Sequence, residues 1–287
     1  MRGIVVKAYG GYYYVYNGHE EWECSLRGRF RYEKQQVLVG DRVEVSLESG
    51  RAGVIVNVLP RCSLLLRPMI ANVEQAVIVF SVQRPKPNPG LLDRFLITTI
   101  LNNIEPLVCF NKIDLAVDGI MEFVSCYQSF YPVMLTSTIT GTGLERLSES
   151  LRGKISVFAG PSGVGKSTIL NAILPGIKLK TGEISKKLKR GKHTTRHVEL
   201  IPLPEGGLVA DTPGFSSLEL PELRPEDLSR CFPEIKKYTR QCYYTGCLHD
   251  KEPDCAVKEA VGMGNIAEIR YRQYLEFLQE LKRRRRY

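Results

Sequence analysis

The octapeptide Gly160-Pro161-Ser162-Gly163-Val164-Gly165-Lys166-Ser167 has the spacing G-x-x-x-x-G-K-S. Glycines so placed let backbone N–H groups close around phosphate oxygens without side-chain clashes. An apolar run precedes the octapeptide, and an apolar-periodic stretch from Thr168 follows it. That context puts a helix N-terminus, with its partial positive charge, at the phosphates. Lys166 is then placed to pair with the β- and γ-phosphates of a nucleotide, and Ser167 to ligate Mg²⁺. A second group of residues suggests different chemistry. Cys242, Cys247, His249 and Cys255 form C-x4-C-x-H-x5-C. Three thiolates and one imidazole match a closed, tetrahedral, structural zinc site. Neither a fifth nearby ligand nor an H-E-x-x-H motif accompanies them, which points away from catalytic zinc. The other five of the eight cysteines, Cys24, Cys62, Cys109, Cys126 and Cys231, are scattered, mostly in apolar settings. They read as reduced core residues.

A phosphate loop alone does not choose a base. Asn111-Lys112-Ile113-Asp114 follows the apolar run Leu107 to Phe110 and resembles the NKxD element of the Ras-like GTPase superfamily. A carboxylate at Asp114 can accept from guanine N1–H and the exocyclic amine together. Adenine offers a lone pair at N1 and no amine there, so it would repel that carboxylate. Sites built on such bonds reject the wrong ligand by ~10⁴ or more. Asp211-Thr212-Pro213-Gly214 resembles the superfamily's DxxG element. The resemblance implies that Asp211 holds Mg²⁺ through water and that the Gly214 N–H senses the γ-phosphate. It also offers Thr194 or Thr195 as the switch threonine on Mg²⁺. It places Ser137 where a backbone N–H backs the guanine O6. The order is permuted. Ras-like proteins run phosphate loop, switch threonine, DxxG, NKxD, then the guanine-backing loop. Here NKxD and Ser137 come first. The sheet can survive such a change because domain termini often lie close together.

The elements that must position these groups fall into three regions. Residues 1–66 are β-rich: Gly3 to Tyr9, Tyr12 to Tyr16, Glu21 to Leu26, Arg42 to Leu47 and Gly53 to Val58 read as short strands between Gly-rich turns. Five such strands suit a small barrel such as an OB-fold. Trp22 and Tyr32 lie near Arg27, Arg29 and Arg31, a mixture that suits RNA by stacking and phosphate contact. The same aromatics could instead fill the barrel, leaving the arginines solvated. Residues 67–219 alternate strands with helices. Gln75 to Val82 is a continuous apolar run, as in a strand buried on both faces. Leu91 to Leu101, Ile120 to Phe130, Leu144 to Leu151 and Thr168 to Leu174 read as helices. Val133 to Thr136, Ile155 to Ala159, Ile201 to Leu203 and Leu208 to Ala210 read as strands. This is an α/β sheet with covering helices. Residues 220–287 lose the strands: Pro221 to Tyr238 reads as short and helical, and Ile266 to Lys282 as a longer helix.

The formal net charge of +9 favours polyanionic partners. Two basic clusters stand out, Lys178 to Arg196 and Lys282 to Arg286. No apolar run approaches the ~20 residues that span a bilayer. The N-terminal residues show no signal-peptide pattern. A cytoplasmic protein with no membrane partner is expected. No coiled coil appears, and a monomer is expected.

A β-barrel, permuted GTPase motifs and a Cys₃His zinc region together resemble the RsgA or YjeQ family of ribosome small-subunit-dependent GTPases. The resemblance covers essentially the whole chain and rests most on residues 111–114, 160–168, 191–196, 211–215 and 242–255. It implies an N-terminal OB-fold, a circularly permuted GTPase domain and a C-terminal helical zinc-binding domain. It implies one structural zinc, Mg²⁺ with GTP or GDP, and the 30S subunit with its 16S rRNA as partner. The implied activity is slow GTP hydrolysis, stimulated by that subunit late in its maturation near the decoding region. Many Ras-like proteins place a water-orienting glutamine after DxxG, where this chain has Phe215, which cannot polarise water. His193, before the switch threonines, is the family's candidate substitute. An RNA or solvent contact for His193 is the other reading. Two further functions stay open at this point: a nucleic-acid-binding module holding GTP as a static ligand, and a GTPase of the large subunit or of membrane traffic.

Overall fold

The computed structural model describes residues 1–28, 36–48, 50–66, 68–174, 198–210 and 220–284. The chain opens with β1 (Arg2–Tyr9), β2 (Tyr12–Tyr16), β3 (Glu21–Leu26), β4 (Arg42–Leu47) and β5 (Ala52–Val58). They close a barrel in the order β1-β2-β3-β5-β4. Alternation of side chains along each strand puts Val5, Val15, Cys24, Val43, Val45 and Ile55 inside it. Trp22 is partly buried and packs against this interior. Arg27 is exposed. Tyr32, Arg29 and Arg31 lie outside the described residues.

A hairpin of β6 (Leu64–Leu66) and β7 (Met69–Ala71) joins the barrel to the next unit. The expected boundary at residue 66 therefore falls inside a paired element. Gly40 makes the junction close: a Cβ there would lie 2.0 Å from the Ala71 carbonyl oxygen.

The second unit is a six-stranded sheet in the order β10-β9-β8-β11-β13-β12. Its strands are β8 (Gln75–Ser81), β9 (Glu105–Asn111), β10 (Val133–Thr136), β11 (Ile155–Ala159), β12 (Leu200–Pro202) and β13 (Leu208–Ala210). All neighbours are parallel except β12, which pairs antiparallel with β13. Every residue of β8 and of β11 is buried, as their unbroken apolar runs require. The covering helices are α1 (Pro89–Leu101), α2 (Ile120–Gln128), α3 (Leu144–Ser150) and α4 (Lys166–Ile173). One core lies between the sheet and α1 and α2, and a second lies on the side of α3 and α4. Val6 and Val39 of the barrel unit join the first core.

The third unit contains a 3-10 helix (Pro225–Cys231), α5 (Pro233–Thr239), α6 (Ala256–Gly262) and α7 (Glu268–Arg284). Its core of Leu228, Phe232, Ile235, Tyr274, Phe277 and Leu281 also takes in Ile97 from α1. The third unit thus packs on the helix that follows β8. Among the described residues no helix is long and apolar enough to cross a membrane.

Candidate functional site

Parallel strands present their carboxyl ends at one sheet edge, and an open α/β sheet binds ligands there. The ends of β8, β9, β10 and β11 carry Ser81, Asn111, Thr136 and Ala159. Residues 160–165 bridge β11 and α4, with Gly165 as the residue before the helix in a left-handed conformation. Two glycines are required by geometry. Gly160 has φ +133°, and a Cβ there would lie 2.1 Å from the Val79 carbonyl oxygen. A Cβ on Gly165 would lie 2.4 Å from Asn111 Nδ2. Val164 is fully buried, which anchors the loop, whereas Ser162, Gly163 and Thr168 are exposed.

Lys166 donates to the carbonyls of Gly160 and Pro161, both at 2.7 Å. Burial lowers its ammonium to about 8. A phosphate anion in this loop would favour the charged form again. Ser167 follows in the first turn of α4 and is half-buried.

The candidate base-reading residues follow the ends of β9 and β10, and each makes distinct contacts. The Asn111 amide donates to the Val164 carbonyl at 2.9 Å and accepts from Thr136 Oγ1 at 3.1 Å. It ties the phosphate loop to the two neighbouring strands. The residue is 1% exposed, and both polar atoms of its amide are engaged within the protein. Lys112 has φ +63° and donates to the carbonyls of Arg84 at 2.6 Å and Gly163 at 2.7 Å. It links a third loop to the phosphate loop. Asp114 is exposed, and its Oδ1 accepts from the Ser137 hydroxyl at 2.5 Å. The Ser137 hydroxyl also accepts from the N–H groups of Ile139 and Thr140, each at 3.2 Å. Asp114 is thereby held by a rigid, buried partner and leaves Oδ2 for a ligand.

The Ser137 backbone N–H donates to the Thr142 carbonyl at 3.0 Å. That group is already paired, which corrects the expectation that it would back the guanine. The next N–H, of Thr138, carries no intramolecular bond among the described residues and takes over as the candidate donor. The pattern Ser-x-Ile-Thr, a hydroxyl accepting from the residues two and three ahead, was the available signal. His193, Thr194, Thr195, Asp211, Gly214 and Phe215 lie outside the described residues, as does the basic cluster from Lys178 to Arg196.

The four sequence-predicted zinc ligands converge, with their ligand atoms all within 4.8 Å of one another. Cys242 Sγ and Cys255 Sγ lie 3.5 and 3.4 Å from His249 Nδ1, and 3.9 Å from each other. A tetrahedral zinc with ordinary bond lengths has ligand–ligand edges of roughly 3.5–3.8 Å. The surroundings fit the metal as well. The Thr239 hydroxyl donates to the Ile235 carbonyl at 3.0 Å. It can therefore accept from His249 Nε2–H, 3.2 Å away, leaving Nδ1 free for the metal. Glu252 accepts from the N–H groups of Leu248 and Asp250, both at 2.9 Å. Tyr271 and Tyr274 donate to the carbonyls of His249 and Leu248. Burial pushes the Cys247 thiol up to about 12. A dication is the group that would convert such thiols to thiolates. Thr239 and the two tyrosines were missed from sequence, where nothing marks them as neighbours of the cluster.

Comparison with known proteins matches residues 58–221 to a family model described as RsgA GTPase and residues 2–55 to the RsgA N-terminal domain. The chain is 47% identical over 290 residues to a protein of Alkaliphilus metalliredigens, named Small ribosomal subunit biogenesis GTPase RsgA. That match covers 100% of this chain and 99% of the relative. A relative of the same name from Halalkalibacterium halodurans is 48% identical, over 98% of this chain and 97% of its own length. The crystal structure of YjeQ from Thermotoga maritima superposes with a TM-score of 0.87 at 41% identity, covering 98% of each chain. The structure of YloQ, described as a circularly permuted GTPase, superposes at 0.83 and 40% identity, covering 99% of this chain and 95% of that one.

Proposed function

The chain belongs to the RsgA GTPase family, and on that premise we propose that it hydrolyses GTP while bound to the small ribosomal subunit and assists its late maturation. The names of its relatives give ribosomal-subunit biogenesis as their role. The finer reading is that the 30S subunit stimulates turnover, that 16S rRNA near the decoding region is the contact, and that the nucleotide state controls release. The compartment is the cytoplasm and the working form a monomer. The three working units are those expected at residues 1–66, 67–219 and 220–287, with the first boundary moved past the β6–β7 hairpin that residue 66 would cut.

One observation carries the choice of nucleotide. Asp114, fixed by the buried Ser137 hydroxyl, shares a sheet edge with a phosphate loop tied to it through Asn111 and Lys112. Asp114 and the Thr138 N–H read guanine, and residues 160–168 hold the phosphates. Ser167 and Asp211 would hold Mg²⁺, which would supply charge neutralisation at the phosphates. Gly214 would sense the γ-phosphate, Thr194 or Thr195 would be a further ligand of the metal, and His193 would orient the attacking water. Zinc at Cys242, Cys247, His249 and Cys255 is structural. The basic clusters and the net charge of +9 supply contacts to rRNA phosphates. GTP turnover measured with and without purified 30S subunits tests the reading. Stimulation by 30S and none by 50S is expected. Equal turnover in all three conditions refutes it.

A further inference from the structure

We infer that Arg270 is a positioning residue for the nucleotide site, coupling the docking of the zinc-binding unit to the loop that braces Lys112 and the phosphate loop. This rests on the reading that the sheet edge binds a guanine nucleotide.

Arg270 lies in α7 and is 2% exposed. Its guanidinium donates to Glu234 Oε1 of α5 at 2.6 Å and to Asp93 Oδ1 of α1. It also stacks over Tyr127 of α2 at 4.7 Å and over Phe232 at 4.9 Å, with Tyr131 at 6.0 Å. A single buried cation therefore joins two elements of the zinc-binding unit to two helices of the GTPase unit. A wholly apolar contact would accept small sliding motions between helices. A fork bonded to two carboxylates does not, because any shift leaves a buried charge without its partner.

Further contacts extend this grip along one face of α1. Gly90, Asp93, Arg94 and Ile97 follow the i, i+3, i+4, i+7 spacing that aligns them. A Cβ on Gly90 would lie 2.7 Å from Gln273 Oε1 of α7. Arg94 pairs with Glu280 at 2.5 Å and lies over the Phe277 ring at 4.9 Å. Ile97 enters the core of the zinc-binding unit. The first turn of α1 is capped by Asn88. The loop just before it supplies the Arg84 carbonyl to Lys112 and the Pro85 carbonyl to Ser81. Lys112 makes its second bond to Gly163 of the phosphate loop. Displacing α1 from α7 would thus move one of the two acceptors that hold Lys112.

The coupling is a free energy shared between two sites and is reciprocal. The test uses full-length, zinc-loaded protein with Arg270→Met. A second variant, Asp93→Asn/Glu234→Gln/Arg270→Met, leaves no buried charge and carries the test if the single change prevents folding. Release and capture of a fluorescent GDP are measured by stopped flow, beside zinc content and amide exchange of residues 268–284. Both folded variants should keep zinc, exchange faster in α7 and release GDP about fivefold faster or more. Their capture rates should stay within twofold of the parent, because the site is loosened and not blocked. A folded, zinc-containing variant with parental GDP release overturns the inference, and so does one with parental exchange in α7. Failure of the parent protein to bind GDP would instead overturn the nucleotide reading on which the inference rests.

Discussion

Asp114→Asn should convert the guanine site into a xanthine site, and the geometry around Ser137 sets how well. Guanine presents N1–H and an exocyclic amine to a carboxylate. Each hydrogen bond to a charged group contributes about 1.5–3 kcal/mol. Losing both removes about 3–6 kcal/mol, or roughly 10²–10⁴ in GTP affinity. The amide can face the base with its oxygen or its nitrogen. Ser137 decides between them. Its hydroxyl accepts from Ile139 and Thr140, so its proton is directed at Oδ1 of residue 114. An asparagine there must keep Oδ1 on Ser137 and turn Nδ2 toward the base. That nitrogen meets the carbonyl that xanthine carries in place of the guanine amine. The variant should therefore bind xanthosine diphosphate at least tenfold better than GDP, measured by titration calorimetry or fluorescent-nucleotide competition. Adding Ser137→Ala frees the amide to rotate, and the preference for xanthine should shrink. Unchanged GTP affinity in Asp114→Asn would remove this carboxylate from the base site. A full xanthine preference in the double variant would refute the orienting role of Ser137.

Three further outcomes follow from the remaining groups. Burial lowers Lys166 to about 8, and a bound polyphosphate would raise it again. GDP affinity should then fall by up to tenfold per pH unit as pH rises through 8, since only the charged form pairs with phosphate. A Lys166→Arg variant should stay flat between pH 7 and 8.7, and a parent profile as flat as the variant's would refute the assignment. Thr239→Ala should weaken zinc about 10- to 100-fold in chelator competition without removing a ligand, because His249 loses its orienting acceptor. Zinc affinity equal to that of the parent would mean that Thr239 plays no part. His193→Ala should lower 30S-stimulated GTP turnover by ~10²–10⁴ with little change in GTP or subunit affinity. A matching loss of subunit affinity would make His193 an rRNA contact instead.

The strands of the barrel and sheet were legible because each is an alternating or unbroken apolar run closed by turn residues. The bounds of β2, β3, β4, β10, β11 and β13 coincide with the runs read from sequence. The β6–β7 hairpin was not legible. Its three-residue strands, separated by Arg67-Pro68, are too short to show a period. The helix α6 was hidden for a related reason, since it begins directly after the candidate metal ligand Cys255 and has only seven residues. In the site, glycine spacing and the NKxD tetrapeptide identified the participants but not their bonds. Nothing in the tetrapeptide shows that the Asn111 amide lies between Val164 and Thr136. Arg270 was beyond sequence reasoning. It lies in a helix rich in charge, where an arginine is expected to face water. Only the tertiary fold supplies Asp93, 177 positions away, as its partner.

Permutation changes which chain ends adjoin the segments proposed to respond to the nucleotide, while the strand order keeps the candidate nucleotide loops at one edge. The barrel reaches the GTPase sheet at its β12 side, through a bridge and an ion pair between Lys7 and Glu199. Glu199 is the second described residue after 175–197, the span that holds the candidate switch threonines. At the other end, Leu220 is the first described residue after 211–219, the span that begins with Asp211. Leu220 is buried in the core of the zinc-binding unit, and its carbonyl accepts from Arg284 of α7 at 2.7 Å. Each flanking unit is thus attached beside one of the two segments proposed to respond to the γ-phosphate. The helix that holds Leu220 is also the helix that holds α1 through Arg270. A ligand can shift such segments only by binding one of their arrangements better than the other. On the proposed reading, an rRNA surface touching the barrel and the zinc-binding unit together would act next to both spans. Were such a surface bound, a change of nucleotide would alter its affinity for the protein by the same factor.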